Sequence, residues 1–223
     1  MIKKPLALVV AAATVSALLG APSPSSHAEP TIAAQPSSHR DARAADYPWV
    51  GRYSPADSYS LTVVRGIGPA AVKRALAPLG ERVGDATPTQ ALMQVFDDDF
   101  DMVADVVQIS RRGSAVVVWE PYGYRASDAL ERLSRRGVAF NFGTFPGENY
   151  VSIYREGKWV RSFEPPFSLW PAEALPIEKG LRFKGTRGSV HRNVWALMEQ
   201  AARVHISQRW FEGEHPTWVR PYR

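Results

Sequence analysis

"SYSLTVVRGIGPAAVKRAL", Ser58 to Leu76, admits two readings, and the choice between them decides the fold. The glycines at 66 and 68, followed by Pro69, are compatible with the turn of a DNA-gripping helix-hairpin-helix. That motif needs an amphipathic helix ahead of the glycines, so that two helices cross and the turn amides reach phosphate. Here the preceding residues alternate: Tyr59, Leu61 and Val63 on one side, Ser60 and Thr62 on the other. Period 2 in β-branched residues predicts a half-buried strand. After the turn, Pro69 can take the first helical position, and Val72, Leu76 and Leu79 recur at i, i+4, i+7, which predicts a short amphipathic helix. The local order is strand, turn, helix, and nucleic acid is not an expected partner.

The rest of the chain extends this pattern. "TPTQALMQVF" announces a helix, with Thr87 as N-cap, Pro88 at the first position and Gln90 closing a capping box; Leu92, Val95 and Phe96 supply its apolar face. "VADVVQISRRGSAVVVWEP" reads as two β-rich runs around Arg112-Gly113, a hairpin. "SDALERLSRRG" predicts a short helix capped by Ser127 and stopped by Gly137. "VAFNFGTF" and the two runs of "NYVSIYREGKWVRSF" about Glu156-Gly157 predict three strands in meander. A last long helix is expected from roughly Ser189 to Arg203, with Val190, Val194, Leu197, Met198 and Ala201 in one stripe. The expected fold class is α+β: a mostly antiparallel sheet of about 5–6 strands with helices packed on one face.

The N-terminus carries a different signal. Two lysines, an apolar run from Leu6 to about Ala21, then prolines and Ser26-His27-Ala28 form the layout of a secretory signal peptide, with cleavage expected after Ala28. The run is shorter than the roughly 20 residues of a membrane span, so no span is expected after cleavage. Residues 29–45 are small, polar and proline-bearing and read as a flexible tether; residues 46–223 form a single domain, within which "EPPFSLWPAEALP" must be irregular. The chain has no cysteine, which excludes disulfides, thiolate metal sites and a cysteine nucleophile. The formal charge is +5, and Lys3 and Lys4 depart with the signal. So small an excess suits weak attraction to anionic cell-surface polymers, not a nucleic-acid footprint.

Candidate chemistry is sparse. "FDDDFD", Phe96 to Asp101, clusters carboxylates but lacks the spacing of a calcium loop, so no metal is expected there. No histidine pair has HExxH spacing; His191 and Trp195 read as a packed helix pair. Serine chemistry lacks a GxSxG elbow, leaving Ser134 and Ser189 as helix-face and capping residues. Glu120, Glu148 and Glu164 are strand-end carboxylates that could pair in a hydrolase only at the right separation. "WEPYGYRAS", Trp119 to Ser127, is the most suggestive loop: Tyr122 and Tyr124 flank Gly123, and Glu120 and Arg125 could hydrogen-bond a sugar or peptide stacked on them. Arg65, at the end of the first strand, could pair with Glu120. The closing "RWFEGEHPTWVRPYR" mixes aromatic and basic residues, as a stapled tail or as a contact surface.

Taken together, "SYSLTVVRGIGPAAVKRAL", "VVVWEPYGYRASDALERLSRRGVAFNFGTF" and "YVSIYREGKWVRSFEP" resemble the DUF6461 family over roughly Asp46 to Arg209. Arg65, Gly66, Glu120, Gly123, Ser134 and Gly137 carry the match. The resemblance implies a fold but no activity, cofactor or catalytic residue, and the signal peptide and tether depart from it. The expected function is a secreted, non-catalytic binding module for an extracellular or cell-surface protein, peptide or glycan, with Glu120, Tyr122, Tyr124, Arg125 and Arg65 as candidate binding residues. The alternative is a secreted hydrolase that uses a strand-end carboxylate.

Overall fold

The structure, a computed structural model, describes residues 41–51, 58–146, 148–166 and 174–222. The expected signal peptide, most of the expected tether and much of the proline-rich 164–176 segment lie outside the described residues. The first described residues are already packed: Ala42 is buried, and its carbonyl accepts from Gln200 Nε2 at 2.8 Å, so the domain begins ahead of Asp46.

One antiparallel sheet of eight strands runs through the domain. In chain order the elements are β1 (Tyr59–Arg65), α1 (Pro69–Leu76), β2 (Glu81–Ala86), α2 (Pro88–Leu92), β3 (Ala104–Arg112) and β4 (Ala115–Pro121). Then follow α3 (Arg125–Asp128), α4 (Leu130–Ser134), β5 (Val138–Phe145), β6 (Glu148–Arg155), β7 (Lys158–Phe163), α5 (Arg187–Ala202), α6 (Gln208–Phe211) and β8 (His215–Pro221). The spatial order is β2-β8-β3-β4-β1-β5-β6-β7. Every expected strand is present. The two additional ones, β2 and β8, carry "ERVGDA" and "HPTWVRP", which show no apolar alternation; a bulge at Arg82/Gly84 and prolines 216 and 221 interrupt them further.

Helices cover both faces rather than one. On the first face Tyr59, Leu61 and Val63 of β1 join Trp119, Phe140 and Phe142 under α2, α5 and α6, in a core that includes Tyr47, Trp49, Trp195 and Phe211. On the second, Val64, Val116, Val118 and Ala139 pack under α1, α3 and α4. Ser60 and Thr62, which the alternation assigns to water, are fully buried because this second layer covers them; Asn141 Nδ2 on neighbouring β5 donates to both, at 2.8 and 2.7 Å. Their side chains are polar, but their partners are supplied inside the fold.

The local signals resolve in detail. The Thr87–Gln90 capping box is formed, with bonds of 2.8 and 3.2 Å. The helix expected across 127–137 is instead two short ones, α3 and α4, and its cap is Tyr124 rather than Ser127. α5 starts two residues earlier than expected, capped by Thr186. At the opening turn, Gly66 has φ +107, and a Cβ there would overlap the Arg136 carbonyl; a Cβ on Gly137 would overlap the Arg65 carbonyl. The β1–α1 turn and the α4–β5 turn therefore touch backbone to backbone, an approach only glycine permits. Among the described residues no helix is long and apolar enough to cross a membrane.

Candidate functional site

Glu120 ends β4 opposite Ser60 of β1. It is 1% exposed, and its two carboxylate oxygens accept from the backbone N–H groups of Arg125 and Ala126, each at 3.0 Å. Burial pushes its pKa up to about 7, against the opposing pull of those two amides and of the Arg125 charge. The carboxylate thus ties the end of β4 to the first turn of α3 across the Tyr122-Gly123 turn. Tyr122 sits at φ +54, donates its N–H to the Ser58 carbonyl at 3.0 Å and meets Phe96 edge-on at 5.0 Å.

Arg125 points away from Glu120. Its guanidinium donates to Asp105 at 2.7 Å and to the Pro78 carbonyl. Asp105 also takes Arg220 and the Tyr222 hydroxyl, and these partners hold its carboxyl below the ordinary range despite burial. Tyr124 presents an accessible ring, 42% exposed, against Phe145 at 4.6 Å. Arg65 lies opposite Ala115 and Val138, five residues along β1 from Ser60, roughly 17 Å from Glu120's position at strand rise. Of the two readings open for Arg65, a surface charge or a partner of Glu120, this separation removes the second; burial, Arg203 and Arg155 lower its pKa.

A second arrangement lies at the other side of the sheet. β8 pairs with β3 from Ala104–Pro221 up to Gln108–Thr217, and there the ladder stops. The next residue of β8 toward its start is Pro216, which has no N–H to give a neighbouring strand. A cleft of about 580 Å³ lies beside the end of β3, the start of β8, α1 and α6. Lys73, Arg82, Arg111 and Arg209 line it together with Trp210 and Trp218; Glu214 is the one carboxylate of the lining. Lys73 Nζ lies 5.3 Å over the Trp218 ring, within cation–π range. Arg82 is bonded to Asp85 at 2.6 Å in an exposed pair, which neutralises little energetically.

Ser110 and His215 also line the cleft. The Ser110 hydroxyl lies 2.9 Å from His215 Nδ1, and His215 Nε2 lies 3.2 Å from the Phe211 carbonyl. A carbonyl can only accept, so Nε2 carries the proton and Nδ1 accepts from the serine. Burial lowers the His215 pKa, favouring this neutral form. Neither residue stands in a recognisable sequence motif; the pair is made by the antiparallel register of β3 and β8, which sets Ser110 opposite His215, one contact spanning 105 positions. The closing aromatic-basic segment did carry a signal, because it supplies Arg209, Trp210 and Trp218.

Among the described residues no group of three or more His, Asp or Glu side chains is placed to hold a metal ion. In the acidic loop, Asp97 Oδ1 accepts the amides of Asp99 and Asp101 at 3.0 Å each, shaping a turn. His191 and Trp195 are both buried, as a packed pair requires.

The described residues thus form an α+β fold on a single antiparallel sheet, with a cationic, tryptophan-lined cleft beside the end of β3 and the start of β8. The chain belongs to DUF6461, a family of unknown function, whose model matches residues 40–178. No curated protein and no solved structure matches it. The positions that carry the family pattern serve the fold. Gly66 and Gly137 touch across two turns, Gly123 sits against Glu120 where a Cβ would be 3.2 Å from its Cβ, and Ser134 Oγ accepts from Gly157 N at 3.2 Å. The cleft is composite: Lys73, Arg82, Ser110 and Arg111 fall inside the matched residues, while Arg209, Trp210, His215 and Trp218 fall beyond them.

Proposed function

We propose that this chain is a secreted, non-catalytic binding module that receives an anionic partner in the cleft between β3 and β8. The observation that carries the reading is the lining: four cations and two tryptophans against a single carboxylate, in a volume typical of ligand sites. Tyr124 is left as a peripheral contact, and Glu120 and Arg125 act through the shape of their loop. Export rests on the N-terminal pattern, and protein recovered from the medium should begin at Glu29. Titrating the protein with poly-L-glutamate should quench tryptophan fluorescence saturably. The double variant Lys73→Glu/Arg209→Glu should bind about tenfold more weakly or worse, since each reversal replaces attraction by repulsion. Equal binding by wild type and variant would move the site elsewhere.

The Ser110–His215 contact favours a second reading, hydrolysis in the same cleft, in place of a strand-end carboxylate. A fluorophosphonate probe that labels the wild type and not Ser110→Ala would establish it; labelling absent from both would dismiss it.

A further inference from the structure

We infer that the cleft receives the acidic, aromatic-tipped loop between α2 and β3 of a second copy of this chain, one loop to one cleft; this rests on the anion-binding reading above. The loop is built to project. Asp97 Oδ1 accepts the amides of Asp99 and Asp101, the Asp97 N–H donates to the Asp101 carbonyl at 3.1 Å, and the Phe100 N–H donates to the Asp97 carbonyl at 3.1 Å. These bonds close the turn and hold Phe100 at φ +63, a left-handed conformation that bulky residues rarely adopt, with the residue 80% exposed. Met93 and Met102, on either side in sequence, are exposed as well, so three of the large exposed hydrophobic side chains among the described residues fall within ten positions. An apolar cluster held out into water costs a monomer and serves a contact.

Charge matches the loop to the cleft. Among the described residues Asp98, Asp99 and Asp101 take part in no ion pair, and neither do Lys73, Arg111 and Arg209 of the lining; Arg82 already shares Asp85, and Glu214 is the single opposing charge. Pro69 and Pro216, half-buried in the same lining, offer Phe100 apolar surface, so its seat does not depend on the indoles, which Lys73, Arg112 and His215 already cover. Geometry keeps the contact between molecules. The loop runs into Ala104, the first residue of β3, and the cleft stands at the other end of that strand, where Arg111 lies seven residues on, roughly 23 Å away at strand rise. A loop and a cleft at opposite ends of one strand cannot meet within a chain, so the pairing is heterologous: the loop of one copy enters the cleft of the next.

The test is analytical ultracentrifugation of the purified protein from about 1 to about 300 µM in roughly 0.05 M salt, where exposed charges are least screened. The weight-average mass should rise past that of one chain as concentration increases. Lys73→Glu/Arg209→Glu removes the cleft, and Asp98→Asn/Asp99→Asn/Phe100→Asn removes the loop contact while leaving Asp97 to shape the turn and, at position 100, a residue that tolerates the left-handed conformation. Each variant alone, checked as folded by near-ultraviolet circular dichroism, should self-associate about tenfold more weakly or worse. Mixed, the two should form a one-to-one complex, because one intact loop then meets one intact cleft. Wild type that stays a single chain across the range while binding poly-L-glutamate would overturn loop docking and leave the anion site, as would self-association unchanged by either variant. Neither self-association nor binding of poly-L-glutamate would overturn both readings.

Discussion

Glu120 shows how a residue chosen for chemistry can be explained by architecture. Its sequence context, a carboxylate at a strand end before an aromatic loop, suits a ligand contact, yet both oxygens are spent on the amides of Arg125 and Ala126. Its carboxyl titrates near 4.5 when free and about 7 in the fold, raised by desolvation. Between those values the unfolded chain has released a proton that the native chain keeps. The contribution of Glu120 to stability is therefore fullest below 4.5, falls by about 3 kcal/mol as pH rises through the window, and levels off above 7. Asp105, whose pKa is lowered, contributes with the opposite sign at lower pH. The difference between wild type and Glu120→Gln isolates the one residue. In urea unfolding across pH 4 to 8, wild-type stability relative to the variant should decline through the window; a flat difference would show that Glu120 is not held as a buried acid. At low pH the protonated carboxyl presents one O–H where the variant presents an NH2, each facing a backbone N–H, so the two proteins should be closest in stability there.

At the scale of elements, legibility followed burial. β1, β3, β4, β5, β6 and β7 announce themselves because each buries a row of apolar residues on at least one face, and the capping box marks α2 without any tertiary help. β2 and β8 do not. Arg82, Asp85 and Arg220 are ion-paired at or near the surface, and Gly84, Pro216 and Pro221 each break a strand pattern. Their pairing is imposed from outside: Gln108 Nε2, on β3, donates to Thr217 of β8 at 3.0 Å and to the Ala86 carbonyl of β2 at 2.7 Å, a buried tie across three strands. Single-chain pattern cannot express a contact 109 positions apart. The cleft shared this obscurity, since its lining is gathered from α1, β2, β3, α6 and β8, far apart in sequence; the loop at 120–125 was legible because it is local. The same geometry predicts that β8 is structural as well as lining. A chain ending at Glu214 removes an interior strand, leaves β2 without a partner and strips the Gln108 tie. It should lose its near-ultraviolet circular dichroism and its cooperative thermal transition. Retention of both would mean that β8 is an accessory edge.

For the molecule as a whole, the relevant quantity is where a small charge excess sits. The formal charge of the chain is only +5, so the global field is weak. Locally it is not: Asp97, Asp98, Asp99 and Asp101 gather in one loop, while Lys73, Arg82, Arg111 and Arg209 gather at the cleft. A dipolar distribution of this kind steers an anionic partner to one entrance, and steering acts on the encounter, not on the bound contacts. Contacts with the indoles, once made, exclude solvent and respond weakly to ions. Stopped-flow binding of poly-L-glutamate should therefore show an association rate that falls about tenfold between roughly 0.05 and 0.5 M salt, as the Debye length shrinks from ~14 to ~4 Å, with a dissociation rate that changes less than about twofold. A dissociation rate that rises with salt as steeply as the association rate falls would place the bound anion on exposed charges alone, outside the tryptophan-lined slot.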